Sequence, residues 1–198
     1  KAVVMDMNGA YEVEVRTWCP DAEIVFDLFH VVMKYGREVI DPVRRAEANR
    51  AEGDRHSRKV IKGSRWLLLR NKQNIERADD RIKLHDLLEA NQNLMKVYVL
   101  KEDLKHLWDF HCPKAAERFW EDWYRRAMQS GLEPLQRFAK RLKPYLPGIL
   151  AHCWHRLHTS LLEGINNKIK VIKRIAYGFR DDAYFFLKIR AAFPGIPR

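Results

Sequence analysis

The sequence is poor in cysteine: Cys19, Cys112 and Cys153 are an odd, widely spaced set among 198 residues. Such a set argues against a disulfide framework and for a reducing compartment. Long hydrophobic runs are missing too. No stretch approaches 18 uncharged apolar residues, and the most apolar one, Tyr145 to Trp154, is interrupted by Pro147 and Gly148, so no membrane span is expected. Residues 2–5 are apolar, but Asp6 follows at once, which does not suit a secretory signal. There is no Gly-x-x-x-x-Gly-Lys loop and no Gly-x-Ser-x-Gly elbow, so neither nucleotide hydrolysis nor a serine-hydrolase site has support. Acidic residues are in deficit, 26 against 37 Lys+Arg, giving a net charge of +11. That balance points to a polyanionic partner, nucleic acid before an anionic membrane, although a merely basic surface gives the same arithmetic.

Hydrophobic residues make up 46% of the chain, enough to bury a sizeable core. Two β-branched runs stand near the start, Val3-Val4-Met5 and Ile24-Val25-Phe26, each ending in an aspartate, Asp6 and Asp27. Between them Asn8-Gly9 reads as a turn, and Ala10 to Trp18 as a short helix stopped by Pro20. A crossover this short predicts a parallel pair in a sheet covered by helices. An apolar strand at Ala2 with nothing ahead of it to pair with reads as the C-terminal part of a longer protein.

After Phe29 the β signal disappears. Helical patterns run from Val31 to about Ala51, with Pro42 expected to break or kink the helix and Gly53 to mark a joint. They continue from Ile75 to Leu107, with Ile82, Leu84 and Leu87 on the apolar stripe, and from Pro113 to Ser130, ended by Gly131. A short helix follows from Leu135 to Leu146, closed by Pro144 and Pro147. A long one runs from Leu161 to Tyr177 with Gly178 at its C-cap, and a last one from Asp182 to Ala192. Trp120 and Trp123, three apart on an apolar stripe, read as core. Trp66, beside Arg65 and Arg70, can be read as a base-stacking residue, but core packing is the better expectation.

The densest chemistry lies in Thr159 to Lys170. Leu161, Ile165, Ile169, Ile172 and Ala176 form an apolar stripe, and Glu163 lies about 200° around the helix from Leu161. Glu163 shares its face with Asn167, Lys170 and Arg174, a carboxylate followed by donors and cations, which suits a metal-held phosphodiester with phosphates running along the helix. Asn166, Lys168, Lys173 and Arg180 complete the candidate DNA contacts. The bland readings stay open: Ser160-x-x-Glu163 is also a capping box, and a cationic ladder is ordinarily a solvated face. Asp6 at a strand's carboxyl end sits where α/β sheets place catalytic groups, yet ahead of Asn8-Gly9 it can equally cap a turn. His30, one turn after Asp27, can be an orienting or simply a buried histidine. His152, Cys153, His155 and His158 could approach a zinc ion, but no Cys-x-x-Cys pair supports it.

Taken together, Asp6-Met7-x-x-x-Tyr11, Ile24-Val25-Phe26-Asp27-x-Phe29-His30 and Ile61-Lys62-Gly63-x-Arg65 resemble the DDE-type insertion-sequence transposases of the ISL-three family. So do Ala90-Asn91 through Leu100-Lys101-Glu102, Trp108, and the long motif Leu162-Glu163-Gly164-x-Asn166-Asn167-Lys168-Ile169-Lys170-x-Ile172-Lys173-Arg174-x-Ala176-Tyr177-Gly178-Phe179-Arg180-Asp181. His158-Thr159-Ser160 departs from the Ser/Thr-Gly usual before that motif. The resemblance implies a mostly helical α/β fold: part of an RNase H-like domain, with two short parallel strands and a large all-helical insertion. Residues 1–30 and 159–198 would be core and 31–158 the insertion. It implies Asp6 and Glu163 as catalytic, metal-binding carboxylates, with Asp27 and His30 as an accessory element.

Mg²⁺ (or Mn²⁺) is the cofactor so implied, since three carboxylates can hold two such ions about 3.5–4 Å apart. The first carboxylate of the triad has no counterpart in this chain, so the isolated chain is expected to be catalytically inactive. DNA at element ends and targets is the implied partner, homo-oligomerisation belongs to the full protein, and the implied location is the bacterial cytoplasm with its nucleoid. The rival expectation is a non-catalytic DNA-binding or oligomerisation module.

Overall fold

A computed structural model describes residues 1–157 and 160–194, with the backbone course alone for Lys72 and residues 160–163. Strand β1 (Ala2–Met5) and strand β2 (Glu23–Phe26) pair in parallel, Ala2 opposite Glu23 and Met5 opposite Phe26. Helix α1 (Gly9–Trp18) makes the crossover, and everything described after β2 is helical or turn. The chain is therefore a mostly helical α/β protein, as the β-branched runs and the later 3.6-residue periodicity indicate. It divides into two units, Lys1–Leu157 and His158–Arg198.

In the first unit, α2 (Leu28–Tyr35) and α3 (Asp41–Arg50) are joined by a π-helical turn, Gly36–Ile40. Pro42 lies inside a helical run that is unbroken from α2 to α3, and the wider π turn directly ahead of it takes up the mismatch of its ring and missing N–H. The helix thus passes through the proline rather than ending there. Asp54 caps α4 (Arg55–Gly63), accepting from the backbone N–H groups of His56 and Ser57 at 2.9 and 3.1 Å. The short α5 (Arg65–Leu69) follows. The 75–107 periodicity resolves into α6 (Ala78–Ala90) and α7 (Gln92–His106), parted by Asn91, whose side chain caps α7 through Leu94 N–H at 2.9 Å. Ile82 is exposed rather than on the buried stripe of Leu84 and Leu87. Then come α8 (Pro113–Gln129), ended by Gly131 at φ +74°, and α9 (Glu133–Leu142). Pro144 and Pro147 do not close the region. They open a 3₁₀ turn and α10 (Leu146–Leu150) at the first helical positions, where proline is tolerated.

The core is helical, around Tyr35, Ile40, Leu68, Leu94, Leu104, Trp123 and Leu135. Tyr35 donates to the Val97 carbonyl at 2.8 Å and meets Phe138 edge-on at 5.1 Å, tying α2 to α7 and α9. Burial pushes its hydroxyl pKa well above the ordinary tyrosine value. Glu47, buried, collects the amides of Asn91 and Asn93, both at 2.9 Å.

Lys101 is the unusual core residue, with a side chain only 1% exposed. Its ammonium donates to the carbonyls of Leu68 at 2.7 Å and Arg70 at 2.8 Å, satisfying the otherwise open end of α5, and lies 3.0 Å from Glu102. Burial lowers its pKa, and Glu102 partly opposes that shift. Lys101→Met keeps the stem but strands two carbonyls and leaves the Glu102 carboxylate with Lys105 alone, at 2.8 Å. The expected cost is about 2–3 kcal/mol, read as a fall in the urea midpoint at unchanged slope.

In the second unit, α11 (Ser160–Ile175) and α12 (Asp182–Ala192) form a helical pair. Tyr177 at φ +51° and Gly178 at φ +102° turn the chain out of α11, where Gly178 was expected at the C-cap. The Asp181 carboxylate caps α12 through Ala183 N–H at 2.8 Å.

Candidate active site

The strand register decides the geometry. Met5 is paired with Phe26, so Asp6 and Asp27 are the next residues out on neighbouring parallel strands, both at carboxyl ends. The ladder reaches that step through Asp27 N–H to the Met5 carbonyl at 3.3 Å. Asp27 precedes α2, and His30 stands one turn into that helix. His30 Nδ1 lies 3.0 Å from an oxygen of Asp6 and 3.3 Å from one of Asp27. Ionised carboxylates only accept, so one Nδ1–H is shared between them and the ring is held between two strand ends.

Asp27 is 6% exposed and Asp6 41%, which makes Asp6 the carboxylate offered outward. The turn-capping alternative for Asp6 does not hold. Asn8 caps α1, accepting from Ala10 N–H at 3.1 Å, and Asp6 gives that turn only its backbone carbonyl, at 2.7 Å from Asn8 N. Lys34 donates to the Met7 carbonyl at 2.7 Å and pins the loop after Asp6.

What fixes β2 also fixes Asp27. Trp108 Nε1–H donates to the Phe26 carbonyl at 3.3 Å, and the Phe26 ring meets Tyr145 edge-on at 5.2 Å. Gly148 packs so closely on this strand that a Cβ there would fall 2.6 Å from the Phe26 ring and 3.0 Å from the Ile24 carbonyl. The break that Gly148 makes in an apolar run is thus the site of a close helix-to-strand approach. The direct contact of Asp6 with His30 was not foreseen from the sequence. The signal for it was present, since both aspartates immediately follow their paired runs.

In the second unit the α11 backbone places Glu163 in the first turn. Its side chain lies outside the described residues, as do the Ser160 capping box and His158-Thr159. Along the rest of α11, Ile165, Ile169 and Ile172 are half-buried, while Asn166, Asn167, Lys170, Lys173 and Arg174 are exposed, as the helical spacing predicts. Ala176, expected on the stripe, is exposed, and so is Arg180. Lys168 is exposed but engaged: it donates to the Ala192 carbonyl at 2.6 Å and lies over the Phe193 ring at 4.6 Å. It closes the end of α12 rather than standing free in the ladder.

Asp6 and Asp27 offer the hard oxygen donors that Mg²⁺ prefers, so the donor chemistry fits such an ion in kind. Among the described residues, however, no three His, Cys, Asp or Glu side chains are grouped to hold a metal. Zinc at the histidine cluster gains nothing either, because His155 pairs with Glu23 at 2.8 Å and His152 and Cys153 are buried. Burial, with Cys112 second, raises the Cys153 thiol pKa. A cleft of about 850 Å³ beside β2 involves neither Asp6 nor Asp27. Its cations are largely committed, Arg16 to Glu12 and Arg141 to Glu38.

A family model described as transposase, of the DDE ISL-three type, matches residues 1–189. The chain belongs to the ISL-three family of transposases. It is 59% identical over 198 residues, its whole length and 48% of the relative, to the transposase for insertion sequence element IS1001 of Bordetella parapertussis. It is 27% identical over 184 residues, 82% of the chain and 41% of the relative, to the transposase for insertion sequence element IS1557 of Mycobacterium tuberculosis. The chain therefore spans about half the length of the curated relatives it matches. No solved structure matches it. Among the described residues no helix is long and apolar enough to cross a membrane.

Proposed function

We propose that this chain is a portion of a DDE transposase catalytic domain, in which residues 1–30 and 159–198 belong to an RNase H-like core and residues 31–158 are a helical insertion. The observation that carries the reading is the pairing of Asp6 and Asp27 at adjacent strand ends, bridged by His30, in a chain of the ISL-three family. Asp6 and Glu163 are the carboxylates that would hold Mg²⁺ or Mn²⁺. When bound, such ions supply activation of a water or 3′-hydroxyl and neutralise charge at the leaving oxygen.

The other roles belong to the chain's own residues. His30 orients Asp6 through the shared Nδ1–H, and buried Asp27 keeps the ring in place. Asn167, Lys170 and Arg174, exposed along α11, would take DNA phosphates and set the register of the scissile bond. Transposases act on DNA; cutting element ends and joining the 3′-OH to a target is the activity proposed for the whole protein.

The test is Glu163→Gln in the full-length transposase, scored as excision of the element from a donor plasmid. The expected result is loss of strand cleavage with DNA binding retained. Retained cleavage would remove Glu163 from the site and favour a non-catalytic DNA-binding module.

A further inference from the structure

Between Asp54 and Glu76 the sequence carries seven Lys/Arg and no Asp or Glu. The structure sorts the six other than Lys72 into two groups. Arg58 reaches Glu52 at 3.6 Å, Arg65 reaches buried Asp41 at 2.9 Å and Arg70 reaches Asp80 at 3.5 Å. Arg55, Lys59 and Lys62 make no ion pair among the described residues, and all three are exposed. Their spacing of four and three places them on one face of α4, with buried Ile61 about 200° around from Lys59. Other basic helices here offset their charge locally, as Arg137 does with Glu133 and Arg126 with Asp122 on the next turn.

At the end of this face stands Trp66, in the first turn of α5 and 69% exposed. The expectation of core packing for it is overturned: Leu68, two residues on and across the helix, is the residue that goes inside. The Arg65 guanidinium sits 5.7 Å from the Trp66 ring centroid, and Asp41 fixes that guanidinium through Arg65 Nε at 2.9 and 3.1 Å. The indole is thus a backed platform open to solvent, four residues along the chain from Lys62, and the α4 cations make no ion pair among the described residues.

We infer that α4 and the start of α5 form a DNA-contacting face of the helical region, in which Arg55, Lys59 and Lys62 bind phosphates and Trp66 stacks on an unpaired base. The inference deepens the DNA reading above and depends on it for the kind of polyanion. Exposed cations in line on one helix face can each take a phosphate, and an exposed indole can stack on a base that has left its pair.

The test uses this chain in EDTA, so that it is blind to the fate of Asp6 and Glu163. Two duplexes serve as probes, one fully paired and one with an unpaired 2-aminopurine. Trp66→Ala is expected to lose roughly five- to a hundredfold in affinity for the unpaired probe and little for the paired one. The 2-aminopurine quenching should vanish with it and persist in Trp66→Phe. The double variant Lys59→Ala/Lys62→Ala is expected to weaken both probes and to lower the salt slope by about two.

Wild-type affinity and quenching in all three variants would overturn the inference while leaving the transposase reading intact, since DNA would then be held elsewhere. Loss of a self-associated state in Trp66→Ala with unchanged DNA binding would also overturn it and assign the indole to a protein contact. No binding of either probe by the wild-type chain would overturn it as well, without bearing on cleavage by the full protein.

Discussion

Asp6→Asn in the full-length transposase is expected to lower strand cleavage by at least about 10²–10³-fold while leaving the fold unchanged. The substitution is nearly isosteric, and the amide oxygen still accepts the hydrogen bond from His30 Nδ1, 3.0 Å away. What it removes is the negative charge on the outward-facing member of the cluster, the charge a divalent cation would need. Asp27→Asn is the control. That carboxylate is almost fully buried and touches His30 rather than solvent, so its loss acts by misplacing the ring. An effect of about 10–100-fold is expected there, the range for residues that orient a ligand. Equal losses in both variants would mean that the cluster works as one electrostatic unit and that Asp6 has no separate role. Cleavage rates on a labelled element end, at saturating Mg²⁺, separate the two cases.

Trp123→Ala is expected to be the most destabilising single change in the first unit, by about 3–5 kcal/mol. Trp123 is fully buried, stacks on Trp120 at 5.2 Å and donates its Nε1–H to the Leu100 carbonyl at 2.8 Å, joining α8 to α7. Truncation to alanine leaves a cavity that the surrounding helices, anchored by Leu94, Leu104 and Leu135, cannot collapse to fill. Denaturant unfolding followed by far-ultraviolet dichroism reads the loss. A change below about 1 kcal/mol would mean that Trp123 is not the keystone of that packing.

Periodicity made much of this legible. Strands β1 and β2 follow from β-branched runs ended by aspartates, and α12 begins where Asp181 can cap it and ends two residues before Pro194. The parallel pairing follows from the short crossover. Where the sequence reading fell short, the neighbouring structure decided. Pro42, expected to break or kink its helix, follows a π turn directly, and the helix continues through it. Trp66 is outside because α5 turns Leu68 inward instead, and single-sequence periodicity over five residues cannot choose which face wins. Lys101 carries no sign of burial, since the carbonyls it satisfies lie more than 30 residues away.

In the candidate site, Asp6, Asp27 and His30 were each visible as residues, and their resemblance to a family pattern grouped them. Their meeting at one Nδ1–H required the strand register. The exposure of Asn167, Lys170 and Arg174 along α11 was legible from spacing alone, whereas Lys168 is drawn to the end of α12 by a carbonyl 24 residues on.

The most direct measurement is a crystal structure grown with Mn²⁺, in which the separation of the Asp6 and Glu163 carboxylates is read. Oxygen ligands sit about 2.0–2.1 Å from such ions and paired ions about 3.5–4 Å apart, so ligands bridging a two-ion site lie within roughly 8 Å of each other. The expected result is a separation inside that range with Asp27 alongside. A separation far outside it, with Glu163 turned back onto the backbone N–H groups near Ser160, would contradict the catalytic assignment and leave a capping carboxylate in its place.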